Sequence, residues 1–231
     1  MVKLTEIDPD GKEHKVEALN IFGDDYPQLI SENDLIVGDV IFCYQSPSDG
    51  NLKGKVKTLT IQKFTEGIYV HCGVYIGNGR VSDSADGFVR IVEIKTFIKD
   101  YTYLVICRCQ HLNDERKEKI VAYAVKCKNS KIQYDLNGAL SLPKNRKKHR
   151  KHIWGKHPKP EALKKNEENV FCSEFVINCF KASGYIEWDN KIYISHMWSP
   201  TDLAHDKLLR FEGYISKNGL ESIHPDDIFK L

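Results

Sequence analysis

The sequence has no apolar run near the roughly 20 residues that a membrane-spanning helix needs, and no excess of either charge. Its 231 residues hold 34 Lys and Arg against 32 Asp and Glu, a net of +2. That balance excludes a bulk polycation that coats nucleic acid. There is no internal repeat and no long low-complexity tract. The first nineteen residues, MVKLTEIDPDGKEHKVEAL, alternate charges where an export leader is apolar, so a cytoplasmic setting is expected. The seven cysteines lack the even, tight spacing of a disulfide framework, and free thiols are expected. What remains is ordinary for a globular chain: 41% hydrophobic and 29% charged residues, enough for one sizeable core.

Residues 1–34 are polar and read as an N-terminal extension, with a single body over 35–231. Short β-rich runs follow at 39–44, 68–76, 80–85, 88–92 and 101–109, with a last one near 208–214. Gly77-Asn78-Gly79 marks a hairpin turn, because Asn and Gly tolerate positive φ. The period then becomes helical. Asn113 or Asp114 caps a helix whose apolar stripe is Ile120, Val121, Ala124 and Val125. Residues 134–142 read as loop or a short element, and a second helix is expected over 172–183, closed by Gly184. Strands first and helices later predict an α+β fold with an antiparallel sheet. Residues 144–159 hold eight Lys or Arg, three His and no acid, leaving the rest of the chain at −6. This basic insertion is either a solvated loop or a surface for an anionic partner such as nucleic acid, acidic lipid headgroups or an acidic protein. Its histidines, His149, His152 and His157, are too irregularly spaced and too far from any cysteine to suggest a metal site.

A reactive cysteine needs an electropositive, partly accessible place, and the start of a helix supplies one. Cys172 opens the run Cys-Ser-Glu-Phe-Val-Ile-Asn-Cys-Phe, where unpaired first-turn N–H groups lower a thiol pKa and can face an oxyanion. Cys179 falls on the buried stripe of the same helix, while Cys43, Cys107 and Cys109 sit in strand patterns and Cys127 near a helix end.

Among nine histidines, His71 is distinct. It stands within the apolar run Tyr69-Val70-His71-Cys72-Gly73-Val74-Tyr75-Ile76, where an imidazole needs a partner. Strand alternation puts it on a face with Tyr69, Gly73 and Tyr75 and turns Cys72 away. A third polar residue on the next strand would orient it. Two registers are open: a two-residue Asn78-Gly79 turn brings Ser82 and Ser84 to the His71 face, and a bulged three-residue loop brings Asp83.

The order Gly38-Asp39-Val40-Ile41-Phe42, then His71-Cys72-Gly73-Val74-Tyr75-Ile76-Gly77-Asn78-Gly79, then Phe171-Cys172-Ser173-Glu174-Phe175-Val176 resembles the NlpC-type papain-like cysteine hydrolases in their circularly permuted, YiiX-like form. In that form the histidine strand precedes the cysteine helix. The likeness runs in blocks over 35–209, and Ser199-Pro200-Thr201-Asp202-Leu203 is a further block. It implies a permuted papain-like fold, a half-barrel of antiparallel strands with the nucleophile helix packed against it. It also implies a nucleophile at Cys172, a base at His71 and a third residue at Asp83, where many members have Glu or His. Tyr134 takes the place of a tyrosine lining the substrate pocket. The implied activity, without a cofactor, is hydrolysis of an amide, peptide or isopeptide bond through an acyl-enzyme. Lipid acyl transfer, phospholipase or thioesterase chemistry is a second reading, although related blocks there read Asn-Cys-Glu-His-Phe. A non-catalytic binding module using 144–159 is a third. Residues 1–34 and 144–159 fall outside the pattern.

Overall fold

Short runs of Val, Ile, Tyr and Phe, closed by glycines or polar pairs, form the strands. The computed structural model describes residues 3–7, 13–17, 28–47, 67–153 and 169–230. Strands β1 (Lys3–Ile7) and β2 (Glu13–Glu17) pair antiparallel in a sheet of their own. The main sheet contains β3 (Val40–Tyr44), β4 (Tyr69–Gly77), β5 (Arg80–Ala85), β6 (Phe88–Glu93), β7 (Tyr103–Arg108), β8 (Gln133–Tyr134), β9 (Asn169–Val170) and β10 (Arg210–Ser216). Its eight strands run in the order β10-β7-β3-β4-β5-β6-β8-β9, antiparallel apart from the β8–β9 pair, and curl into a half-barrel. The helices are α1 (Ile94–Asp100), α2 (Asp114–Asn129), α3 (Leu136–Ile153), α4 (Cys172–Ala182) and α5 (Pro200–Ala204). The α+β class with an antiparallel sheet is therefore what the chain adopts.

One face of the sheet carries the larger core, in which Phe175, Val176, Cys179 and Phe180 of α4 pack with Cys72, Val74, Ile120 and Ala124. A smaller core on other strand positions holds Ile41, Cys43, Tyr75 and Val81 with Ile94 and Phe97 of α1. All seven cysteines are buried and free. Asn113 caps α2 by accepting from the Arg116 N–H at 2.9 Å. The apolar stripe of α2 differs from the expected one: Ile120, Ala124 and Cys127 are buried, whereas Val125 is exposed. A turn of 3.6 residues carries Val125 past the edge of the packed face.

One sequence reading is corrected near residue 140. Residues 134–142 are neither loop nor short element, because Tyr134 ends β8 and α3 begins at Leu136. Residues 144–153, the first part of the basic segment, continue that same helix; 154–159 lie outside the described residues. Ile30 N–H donates to Tyr214 C=O and Tyr214 N–H to Gln28 C=O, each at 2.8 Å, so residues 28–30 run beside β10. Gly213 allows this approach, for a Cβ there would stand 2.6 Å from Ile30 Cγ2.

The β4–β5 hairpin resolves the open register in an unexpected way. The turn has two residues, with Gly77 opposite Arg80 and positive φ at Asn78 and Gly79. The bulge exists too, but inside β4: the register slips between Tyr75 and Gly77, after which Tyr75 faces Val81 and Gly73 faces Asp83. Asp83 thus reaches the His71 face by a strand bulge, not by a longer loop. A second slip, between Cys43 and Tyr44 against His71 and Tyr69, sends Tyr69 into the larger core. The expectation that Tyr69 shares the His71 face is corrected by that irregularity.

Candidate active site

Cys172 is the first residue of α4 and is delivered there by the two-residue strand β9. Its helix starts abruptly because Glu174 folds back to accept from the Phe171 N–H at 3.4 Å, and Ser173 Oγ donates to Trp198 C=O at 2.7 Å. The Ser and Glu of the Cys-Ser-Glu block therefore fix the helix start while Cys172 faces the cavity. The β4–β5 pairing ends at Gly73–Asp83. Just beyond, Cys72 directs a backbone and a side-chain hydrogen bond to the Cys172 sulfur, and His71 makes a further one.

His71 Nε2 lies 2.7 Å from Asp83 Oδ2, which leaves Nδ1 for the thiol. The ring is 7% exposed and sits against Phe97 and Tyr101, with centroids at 5.8 and 6.1 Å. Asp83 is fully buried and lies diagonally across the ladder, within reach because residue 73 is Gly. A Cβ on residue 73 would meet Asp83 Cβ at 3.2 Å and Val81 Cγ1 at 2.9 Å. Ser82 and Ser84, the alternatives to Asp83, bond elsewhere: Ser82 Oγ to Arg90 C=O at 3.0 Å and Ser84 Oγ to Val170 C=O at 2.7 Å.

Arg90 is the residue that sequence reasoning missed. From β6 it forks onto Asp83, Nε to Oδ1 at 2.9 Å and Nη2 to Oδ2 at 3.1 Å, and its Nη1 also meets Asp86. The signal that could have found it is the register itself, since Asp83 stands directly opposite Arg90. Both oxygens of the carboxylate are thereby fixed before it meets the imidazole.

The electrostatics couple the three groups. Hydrogen bonding from the Cys72 side chain, opposed by burial and reinforced by the charge and hydrogen bond of His71, holds the Cys172 thiol well below its ordinary pKa. Burial works to lower the His71 pKa, but the Cys172 thiolate and the Asp83 carboxylate outweigh it and raise the value to about 10. For Asp83, burial is the largest influence and acts upward, but hydrogen bonds and charge from His71 and Arg90 bring the net shift below the usual carboxylate range. Cys43, Cys107 and Cys179 move the opposite way from Cys172, raised by burial. Cys72 is also raised, first by burial and then by its bond to Cys172. All three shifts act in the same sense, each favouring a Cys172 thiolate beside a His71 imidazolium with Asp83 ionised.

The pair opens into a cavity of about 530 Å³, lined by Tyr101, Tyr134, Phe171, Ser199 and the first turns of α3. Tyr134 lies on the cavity wall, and burial raises its hydroxyl pKa. The Ser199-Pro200-Thr201-Asp202-Leu203 block acts mainly on structure. Ser199 and Asp202 cap α5 reciprocally, and Thr201 Oγ1 accepts from Tyr69 N–H at 3.1 Å, anchoring the start of the His71 strand. Asp39 is likewise structural, fully buried and held by Arg108 through contacts at 2.7 and 2.8 Å. No family model matches the chain, and comparison with curated proteins gives no match.

Proposed function

We propose that the protein is a cysteine hydrolase of the permuted papain-like kind, cleaving an amide, peptide or isopeptide bond through an acyl-enzyme on Cys172. The observation that carries this reading is the chain of contacts Cys172–His71–Asp83–Arg90 at the floor of an open cavity. A low-pKa thiol at a helix N-terminus, paired with an imidazolium whose far nitrogen is fixed by a carboxylate, is the arrangement that nucleophilic acyl transfer requires.

In the proposed cycle the Cys172 thiolate attacks the carbonyl carbon. First-turn N–H groups of α4, led by that of Cys172, face the developing oxyanion. His71 donates the Nδ1 proton to the departing amine, and the tetrahedral intermediate collapses to a thioester. The now neutral imidazole deprotonates a water, which attacks the thioester and frees the thiol and the acid. Asp83, clamped by Arg90, keeps the ring from turning.

A second reading, on the same thiol, is chemistry on lipid acyl groups. It is favoured by the aliphatic side chains that α3 puts on the cavity wall, Leu136, Ala139, Leu140 and Leu142. Both readings are tested by turning over an acyl amide and an acyl thioester with a second acceptor present. Released amine with free acid supports hydrolysis; acyl chain on the acceptor supports transfer; equal turnover by Cys172→Ser removes both.

A further inference from the structure

The apolar wall of the cavity and the basic run belong to one helix. α3 contributes Leu136, Ala139, Leu140 and Leu142 to the lining and then carries the backbone on to Ile153. Leu142 is 1% exposed, but Leu136 and Leu140, at the outer part of the wall, are 57% and 37% exposed. From Lys144 to Ile153 the sequence has six Lys or Arg, two His and no acid. Exposed leucines followed directly by dense cations match the chemistry of an anionic bilayer surface, where aliphatic groups enter the headgroup boundary and cations meet lipid phosphates. The rest of the chain is net acidic. It is repelled by such a surface, so the charge distribution also sets the orientation. Nucleic acid is a poorer fit, since residues 136–153 contain no Phe, Tyr or Trp on which a base could stack, and the leucines would have no role.

We infer that α3 docks the protein on an anionic lipid bilayer, with the mouth of the Cys172 cavity turned toward the membrane. Docking stands on charge and exposed apolar surface alone. The consequence that an acyl substrate enters from the bilayer rests on the proposed function.

The test is co-sedimentation of the full chain with phosphatidylcholine vesicles, with and without phosphatidylserine, for the native sequence and for Cys172→Ser. Both proteins are expected to bind only the phosphatidylserine vesicles, and to lose binding as salt shortens the Debye length from about 30 to about 8 Å. Lys147→Glu, Lys148→Glu and Arg150→Glu together should weaken partitioning on the order of a hundredfold, from roughly fivefold for each cation removed. Leu136→Asp, at an exposed position, should weaken it independently. Equal binding to both vesicle types, no binding, an unaffected triple variant, or tighter binding to single-stranded RNA at the same salt would each overturn the proposal. Vesicle binding by a protein without hydrolase activity would remove the proposed chemistry and leave docking standing.

Discussion

At the level of single residues, the groups in contact should differ in what their loss costs. Cys172→Ser should lower kcat/KM by at least about a thousandfold, because the residual rate then comes from binding and oxyanion contacts alone. His71→Ala should cost about a hundred- to ten-thousandfold, the range for a lost acid–base group. Asp83→Asn should cost roughly ten- to a hundredfold, as for a partner that orients a working side chain. The competent ion pair exists above the lowered Cys172 pKa and below the raised His71 pKa, so activity should fall on the alkaline side through about 10. The same sign governs stability. His71 is raised from about 6.5, so its contribution is complete below that value and fades as pH climbs toward about 10. Arg90→Gln removes a cation from the Asp83–His71 pair. The alkaline limb of the rate profile should therefore move to higher pH while the maximal rate drops. Denaturant unfolding should show a cost of about 2 kcal/mol, from two charge-assisted bonds lost to a buried carboxylate.

At the scale of elements, the geometry depends on a glycine and a bulge. Gly73→Ala would push a methyl toward Val81, the Ser82 carbonyl and Asp83, parting β4 from β5. The expected result is about 1–3 kcal/mol of destabilisation, with a loss of activity resembling that of Asp83→Asn. Cys172 was legible in the sequence because a polar stretch followed by an amphipathic run announces a helix start. His71 was legible because an imidazole in an apolar strand demands a partner. The choice of Asp83 over Ser82 and Ser84 needed the resemblance, since the bulge at Ile76 is a backbone slip with no residue signature of its own. Tyr69 was misplaced for the same reason, by the slip beside Cys43. Helix α3 was missed because Gly138 and Pro143 are breakers in a local reading. The signal for it was Asp135, which caps the helix by accepting from the Gly138 N–H at 2.7 Å. A Cβ at residue 138 would fall 2.2 Å from the Asp135 carboxylate, so a larger residue there would displace that cap.

At the scale of the whole molecule, the near-zero net charge conceals a basic helix end set against an acidic body, and the seven cysteines divide by environment. The C-terminal segment closes the fold through Asp227, a 3%-exposed carboxylate that accepts from the hydroxyls of Tyr69, Tyr103 and Tyr214 at 2.9, 2.7 and 2.8 Å. Asp227→Asn keeps one acceptor oxygen in place of two and should cost about 1–3 kcal/mol, read by chemical denaturation, with the His71 strand loosened through Tyr69. Among the described residues no helix is long and apolar enough to cross a membrane. The most direct test of the central claim is mass-spectrometric mapping of the native chain after brief exposure to a limiting amount of a cysteine-directed acyl electrophile at neutral pH. A single adduct is expected, on Cys172, that disappears in Cys172→Ser and forms far more slowly in His71→Ala. An adduct on any of the other six cysteines in its place, or none at all, would contradict it.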